Sequence, residues 1–184
     1  MRFITVNEQL LHFRDEGNPD GTPLVFINSL GTDLRIWDAV APHFAANHRL
    51  IRYDKRGHGL SDCPAPPYTI RQHATDLAEL LNVLHVERVC LVGISVGGMI
   101  AMDFAMQHPQ RVEKLVLCDT APQIGTSVMW TARIEALHVH GLPNLGEPIL
   151  SRWFSPEFAA DQPDAYRGYY HMLTRTPADG YVGT

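Results

Sequence analysis

The segment VCLVGISVGGMIAMDFA, residues 89–105, begins as a short apolar run and continues as a helix-like one. A single hydroxyl, that of Ser95, stands between the two parts, with Gly93 and Gly97 two positions to either side. A serine presented at the edge of a sheet needs a sharp, strained turn, and its second neighbours then lie too close to other backbone for a Cβ atom. The pattern G-x-S-x-G between a strand and a helix is therefore typical of a nucleophilic serine.

Two other interpretations of these residues are open. The segment is also compatible with a plain strand-to-helix turn or with a degenerate dinucleotide-binding loop. The dinucleotide loop is disfavoured because position 95 is serine where G-x-G-x-x-G requires glycine. In the nucleophile interpretation, the helix that begins near Val96 points free N–H groups at the site. The Val96 N–H is then predicted to stabilise the oxyanion that forms when Ser95 attacks a carbonyl.

Strand-like and helix-like segments alternate on both sides of this motif. The predicted strands are RFITVN, QLLHFRDEG, PLVFIN (23–28), HRLIRYD (48–54), RVCLVG (88–93) and VEKLVLCD (112–119). Helices are predicted over 33–46, with Pro42 expected to kink or shorten it, over about 70–84, and over GGMIAMDFAMQH up to Pro109. This alternation implies an α/β fold with a mostly parallel, doubly wound sheet.

The pattern changes after Thr120. Residues 127–182 contain helix-like pieces and no convincing strand. We expect these pieces to be broken by Pro143, Pro148, Pro156, Pro163 and Pro177. The sequence therefore predicts an α/β core over 1–122 and an all-helical cap inserted over the sheet, incomplete in this chain, over 123–184.

Composition excludes several classes of partner. A formal net charge of −5 gives no electrostatic attraction to nucleic acid or to an anionic membrane. No apolar run is long enough to cross a bilayer, and the first residues lack the apolar segment of a signal peptide, so we expect a cytoplasmic protein. Cys63, Cys90 and Cys118 are expected to be buried reduced thiols, and their spacing does not resemble a zinc site.

Two further segments follow predicted strands, YDKRGHGLSD (53–62) and FINSLGTDLRIWD (26–38). In the first, Gly57 and Gly59 suit positive φ, and Arg56 is expected to pair with carboxylates that hold the loop. We interpret this loop as scaffold and His58 as a loop residue without a catalytic role.

Together, INSLGTDLRIWD, RYDKRGHGLSD, LVGISVGGMIAM and TRTPADGYVGT resemble the 3-oxoadipate enol-lactonases, a branch of the α/β-hydrolases. That family hydrolyses the enol-lactone of 3-oxoadipate in the bacterial breakdown of aromatic acids, without cofactor or metal. The resemblance implies an α/β-hydrolase fold and an enzyme that acts on a carboxylic ester or lactone through Ser95. It also implies that residues 26–38 form an oxyanion loop in which the Leu30 N–H is the second donor. A plain turn is the alternative for that loop.

The substrate of this family keeps a free carboxylate, so the resemblance implies a cation near Ser95. Arg133 and Trp130, in the segment MWTAR, stand where the cap is expected to face the pocket, and we take them as the substrate-binding candidates. A surface arginine on an amphipathic helix is the alternative, and Arg35 and Arg152 are rivals. His138 and His140 are two apart, and on a helix they face different directions, so we expect no metal there.

The residues that would activate Ser95 are not evident. On this fold an acid and then a histidine follow later strands, but the predicted strands stop at VEKLVLCD. Two more strand–helix units need roughly 70 residues at ~30 or more each. None of the ten histidines stands where the base belongs, and Asp119 is the only well-placed acid. We therefore interpret the chain as the N-terminal two-thirds of a hydrolase, inactive alone, with a complementary C-terminal chain or a second copy as its expected protein partner.

Other functions remain open at this stage. Another cofactor-free hydrolase of the same fold, such as an esterase, a perhydrolase-type haloperoxidase or a carbon–carbon bond hydrolase, is one alternative. A non-catalytic binding module on a hydrolase scaffold is another. A cation in the pocket beside Ser95 favours the acidic lactone, whereas a wholly apolar pocket favours the alternatives.

Overall fold

The computed structural model describes residues 1–184 and contains one six-stranded sheet. Its strands are β1 (Arg2–Val6), β2 (Gln9–Gly17), β3 (Thr22–Ile27), β4 (His48–Tyr53), β5 (Val89–Ile94) and β6 (Val112–Cys118). They lie in the order β1-β2-β4-β3-β5-β6. The β1–β2 and β2–β4 pairs are antiparallel and the other three pairs are parallel. The predicted mostly parallel α/β sheet is confirmed.

Both faces of the sheet are covered by apolar contacts. In β3, Val25 and Ile27 belong to the larger core, which also contains buried residues of α1 (Ile70–Val83) and α2 (Val96–Gln107). Leu24 and Phe26 belong to a second core on the opposite face. Because side chains alternate along a strand, a continuous apolar run such as PLVFI fits a strand buried on both faces.

The prediction of a helix over 33–46 is wrong. The structure has two 3₁₀ turns there, Leu34–Trp37 and Ala41–His43. The Asp33 carboxylate caps the first turn by accepting from the Arg35 N–H, 2.9 Å away. Pro42 lies at the start of the second turn, where its missing N–H prevents a continuous helical ladder. The apolar side chains Leu34 and Trp37 are buried nonetheless.

Residues after β6 form helices only: α3 (Ser127–Leu150), α4 (Pro156–Asp161), α5 (Pro163–Thr174) and α6 (Ala178–Gly183). The expectation that prolines break this region is partly wrong. Pro156 and Pro163 are the first residues of their helices, because a proline N–H is not needed in a first turn. Pro143 and Pro148 lie inside α3, and the break falls instead at Gly141, with φ 72° and ψ 160°.

Helix α6 lies directly on the loop that follows β4. A Cβ added to Gly180 would overlap the Gly57 carbonyl, so the two backbones touch. The Tyr68 N–H donates to the Gly183 carbonyl at 2.6 Å. A Cβ on Gly31, in the loop after β3, would lie 2.5 Å from Leu173 of α5. The cap helices are therefore seated on the two loops at the carboxyl edge of the sheet.

The outer strand β6 has one sheet neighbour, β5, and remains largely uncovered. Leu115, Val116 and Leu117 are 37–47 % exposed, and Met106 of α2 is 72 % exposed. This edge of the sheet and the neighbouring face of α2 therefore leave apolar side chains exposed. Such an edge is a ready surface for another strand.

The cysteines follow the expectation only in part. Cys90 is buried and Cys118 is partly exposed, but Cys63 is exposed in the proline-rich loop, so its predicted burial is wrong. All three are free thiols. None of the helices combines the length and hydropathy that a membrane span requires.

The glycine contact between α6 and the β4 loop can be tested by substitution. We expect Gly180→Ala to lower the free energy of unfolding by about 2 kcal/mol, because its methyl group overpacks against the Gly57 backbone. Gly168→Ala is the matched control, since Gly168 is helical with nothing within 4 Å of the added Cβ. It should raise that free energy by roughly 0.5–1 kcal/mol. Urea unfolding measures both, and equal effects would contradict the close contact.

Candidate active site

Ser95 lies at the bend between β5 and α2 in a strained backbone conformation, with φ 54° and ψ −122°. Its N–H donates to the Cys118 carbonyl at 3.0 Å. Its carbonyl accepts from the Gly98 N–H at 2.9 Å and from Thr120 Oγ1 at 2.7 Å. A non-glycine residue in this region of φ/ψ space persists only where its surroundings hold it. The bend is thus fixed from both sides of Ser95.

The two glycines flanking Ser95 are required by packing. A Cβ on Gly93 would overlap the Gly97 carbonyl oxygen. A Cβ on Gly97 would overlap the Ile27 carbonyl oxygen at the end of β3. The close approach that the sequence predicted at these two positions is confirmed.

Ser95 opens into a cavity of about 250 Å³ beneath the cap. Leu30 and Val96, the predicted oxyanion donors, line the same cavity. No hydrogen bond of a turn, loop or cap uses the N–H of either residue. The structure therefore brings the serine and both candidate residues to one cavity, and neither N–H is used by a turn, loop or cap.

Two of the three candidate arginines reach this region. Arg133 and Trp130 line the cavity with Ser95, and the Arg133 guanidinium lies over the Trp130 ring, 5.4 Å from its centroid. Arg152 lines an adjoining cavity of about 240 Å³ that also contains Ser95 and Arg133. Burial raises the pKa of Tyr181, which lines both cavities, and the charges of both arginines oppose that rise.

Arg35 is not part of this site. Its guanidinium pairs with Asp33 at 2.5 Å, its side chain is 59 % exposed, and it lines a different cavity. The sequence left undecided which arginine lies near Ser95. In the structure this cation comes from the cap helix α3 and not from the loop after β3. Residues of α3 line the cavity together with Ser95, whereas Arg35 is bound by Asp33 and exposed to solvent.

The polar groups that would activate Ser95 are not assembled in residues 1–184. No side chain hydrogen-bonds the Ser95 hydroxyl, and none of the histidines lines its cavities. Asp119, at positive φ of 43°, is exposed and lines the adjoining cavity with Ser95. No three His, Cys, Asp or Glu side chains are grouped as metal ligands.

A network of buried polar groups supports the site, and most of its members carry no signal in the sequence. Lys55 Nζ donates to the Ser29 carbonyl at 2.6 Å, and the Gly31 N–H donates to His58 Nε2 at 3.0 Å. The expected carboxylate partner of Arg56 is Asp76, with which it forms two bonds of 2.6 and 2.8 Å. Only Arg56 and the glycines carried a sequence signal, because burial of Lys55 and His58 depends on contacts with residues far away along the chain.

Burial shifts the titration of this network. Desolvation lowers the pKa of Lys55 to about 7, against the opposing charges of Asp54 and Asp33. Desolvation also lowers the pKa of His58 well below its usual value, with the Lys55 charge adding to the effect. The pKa of His73, on α1, falls to about 3 for the same two reasons. Neutral His58 is therefore the acceptor for the Gly31 N–H.

Comparison with known proteins agrees with this architecture. Residues 22–146 match the family described as the alpha/beta hydrolase fold. The chain is 34 % identical to 3-oxoadipate enol-lactonase 2 of Acinetobacter baylyi over 179 residues, which is 97 % of this chain and 67 % of that protein. The chain also matches 3-oxoadipate enol-lactonase 1 of that organism, of which it covers 62 %. It therefore spans about two thirds of the length of these relatives.

Solved structures give the same picture. The enol-lactonase from Burkholderia xenovorans LB400 superposes with a TM-score of 0.95 at 33 % identity, covering 99 % of this chain and 71 % of that one. A thermophilic esterase from Thermogutta terrifontis superposes with a TM-score of 0.91 at 25 % identity, covering 100 % and 71 %.

The depressed histidine pKa values predict acid sensitivity. In the unfolded chain these side chains bind protons below pH about 6.5, whereas in the folded chain His58 and His73 resist protonation. The unfolded state then binds more protons, so the free energy of unfolding should fall as pH falls below 6.5, with each histidine contributing a slope that approaches about 1 kcal/mol per pH unit.

The substitution His73→Phe should remove about half of that slope between pH 6.5 and pH 5, measured by urea unfolding. His138→Gln, at an exposed position, is the control for loss of one histidine. An unchanged slope in His73→Phe would contradict the assignment.

Proposed function

Because the chain belongs to the α/β-hydrolase fold family, we propose that its full-length protein hydrolyses the enol-lactone of 3-oxoadipate, with Ser95 as the nucleophile. The observation that carries this proposal is the strained Ser95 bend opening into a pocket that also contains Arg133. The similar proteins include enol-lactonases and esterases, which are hydrolases of carboxylic esters and lactones. We assign the reaction to the bacterial breakdown of aromatic acids, in the cytoplasm.

The first chemical step is attack by Ser95 Oγ on the lactone carbonyl. The backbone strain at Ser95 holds its oxygen at the carboxyl edge of the sheet, where the substrate arrives from the cap side. The N–H groups of Leu30 and Val96 donate to the developing oxyanion. Support for this role is that both residues line the Ser95 cavity and that neither amide is used by a turn, loop or cap.

Collapse of the tetrahedral intermediate breaks the ring C–O bond, and the leaving group is an enol that tautomerises to the ketone. An enol leaves more readily than an alcohol, so this step needs less help from a general acid. Water then attacks the acyl-serine and releases 3-oxoadipate. Both attacks need a general base, which residues 1–184 do not supply at Ser95, so we expect these residues by themselves to be inactive.

The substrate carboxylate binds to a cation in the cap. Arg133 is the first candidate because it lines the same cavity as Ser95 and is held by its contact with Trp130. Arg152 supplies a second positive charge in the adjoining cavity. The remaining lining of the Ser95 cavity is mostly apolar, which suits the carbon skeleton of the lactone and strengthens the arginine–carboxylate attraction.

A neutral-ester hydrolase is the second candidate function. The apolar share of the cavity lining favours it, since nine of its twelve residues are hydrophobic. Two arginines facing one small site weigh against it, because an uncharged substrate gives no compensation for bringing those cations together.

Labelling of the serine tests the nucleophile. We expect a fluorophosphonate to label the full-length protein at Ser95, and Ser95→Ala to abolish both labelling and lactone hydrolysis, with kcat falling at least about 10³-fold. Ser151→Ala, at an exposed serine on the cap, should leave both intact. Mass spectrometry of the labelled peptide identifies the site, and a label on another serine would refute the assignment.

Charge selection tests the substrate. We expect Arg133→Gln to raise KM for the acidic enol-lactone about 10–100-fold, since it removes one charge-assisted pair, while a neutral aryl acetate is hydrolysed as before. Arg167→Gln, at an exposed cap arginine, should change neither. Equal losses on both substrates would contradict a carboxylate-binding role, and a loss confined to Arg152→Gln would move that role to Arg152.

A further inference from the structure

Lys55 is a buried cation without a carboxylate partner. It lies in the loop after β4 and is 1 % exposed. It forms no ion pair, and its single hydrogen bond goes to the Ser29 carbonyl at 2.6 Å. A buried ammonium group is costly unless it is paired and fully hydrogen-bonded. The chain has one other lysine, Lys114, which is exposed.

Holding the loop does not require that charge. The Ser29 carbonyl also accepts a hydrogen bond from Thr32 Oγ1 at 2.9 Å. On the other side of Leu30, the Gly31 N–H is held by His58 Nε2 at 3.0 Å. Neutral groups thus already fix the backbone on both sides of Leu30, and Lys55 adds a positive charge at one point of it.

The Ser29 carbonyl, where Lys55 binds, is the other end of the peptide group that carries the Leu30 N–H. The Ser29 carbonyl and the Leu30 N–H belong to the same planar peptide, whose two ends share electron density by resonance. A cation bound at the carbonyl draws density from the nitrogen, so the N–H becomes a stronger donor. Its charge also attracts an oxyanion on the far side of the peptide through a medium of low dielectric.

We propose that Lys55 is a positioning residue that strengthens the Leu30 oxyanion donor through the Ser29–Leu30 peptide. This proposal rests on the proposed function, in which Ser95 attacks and Leu30 stabilises the oxyanion. Lys55 does not touch the substrate. Its contribution appears only when negative charge develops on the carbonyl oxygen, so it acts on the transition state and not on binding of the neutral carbonyl.

The groups around Lys55 determine how its charge responds to pH. The carboxylates of Asp54, on its own loop, and Asp33, after β3, favour the charged form, and burial opposes it more strongly. Arg56 and His58 on the same loop and His73 on α1 are further titratable groups here, and the Lys55 charge lowers the pKa values of both histidines. Because the pKa of Lys55 is lowered to about 7, the charge is lost as pH rises through neutrality, and kcat should fall with it.

The test is Lys55→Met in the full-length protein, which keeps an unbranched side chain one atom shorter and removes its charge. The Thr32 bond still satisfies the Ser29 carbonyl, so the loop is expected to stay in place. Activity is expressed per Ser95 titrated with fluorophosphonate, so that misfolded protein is not counted. We expect kcat to fall about 10-fold with KM within a factor of three, and a descending limb near pH 7 in the wild-type kcat profile to disappear.

Lys114→Met is the matched control, because it removes the same charge from an exposed lysine, and it should leave kcat and its pH profile unchanged. An unchanged kcat per titrated serine in Lys55→Met, or a loss with the same pH profile as wild type, would overturn the proposal and leave Lys55 as a loop support. If wild type is labelled at Ser95 but does not hydrolyse the enol-lactone, only the substrate assignment fails. The rate of Ser95 phosphonylation, which needs the same oxyanion donors, then tests Lys55 with the same expected 10-fold loss.

Discussion

The site depends on a contact that leaves no room for a Cβ atom. The first turn of α2 lies so close to the end of β3 that Gly97 touches the Ile27 carbonyl, while Gly93 touches the carbonyl of Gly97. Because Gly93 and Gly97 both lie against backbone, the chain turns within one residue between them. Ser95 takes the positive φ that completes this bend. The position of the serine hydroxyl, the start of α2 and the course of the loop after β3 follow from this one packing constraint.

The loops after β3 and β4 are held in fixed positions by buried polar groups. The Asp54 carboxylate accepts from His12 Nδ1 and from the N–H groups of Leu34 and Leu60, at 2.8–2.9 Å. Arg56 binds Asp76 on α1 with two bonds. Such networks are worth more than the sum of their pairs where they are satisfied, and they restrict the loops to one arrangement. The cap is seated on that arrangement through glycine contacts, so the pocket depends on the same network.

The pocket combines two environments that suit different parts of one molecule. Its lining is mostly apolar, but α3 brings Arg133 over it, and Arg152 follows in the adjoining cavity. The fold itself is compatible with many hydrolytic reactions, and in the proposed function the arginines select an acidic lactone over a neutral ester. Likeness to both an enol-lactonase and an esterase at TM-scores above 0.9 agrees with that view, because a shared scaffold leaves substrate choice to the cap.

The sheet, the bend and its two glycines could be predicted from the sequence, because strand alternation and a missing Cβ are properties of residues close together along the chain. The sequence did not determine residues 33–46, where Pro42 and the Asp33 cap divided an amphipathic pattern into two short turns. The sequence could not predict that Arg133 and not Arg35 lines the Ser95 cavity, or that Lys55 is buried against Ser29, 26 residues away. Contacts at that separation depend on how loops pack across the sheet, which no local pattern encodes.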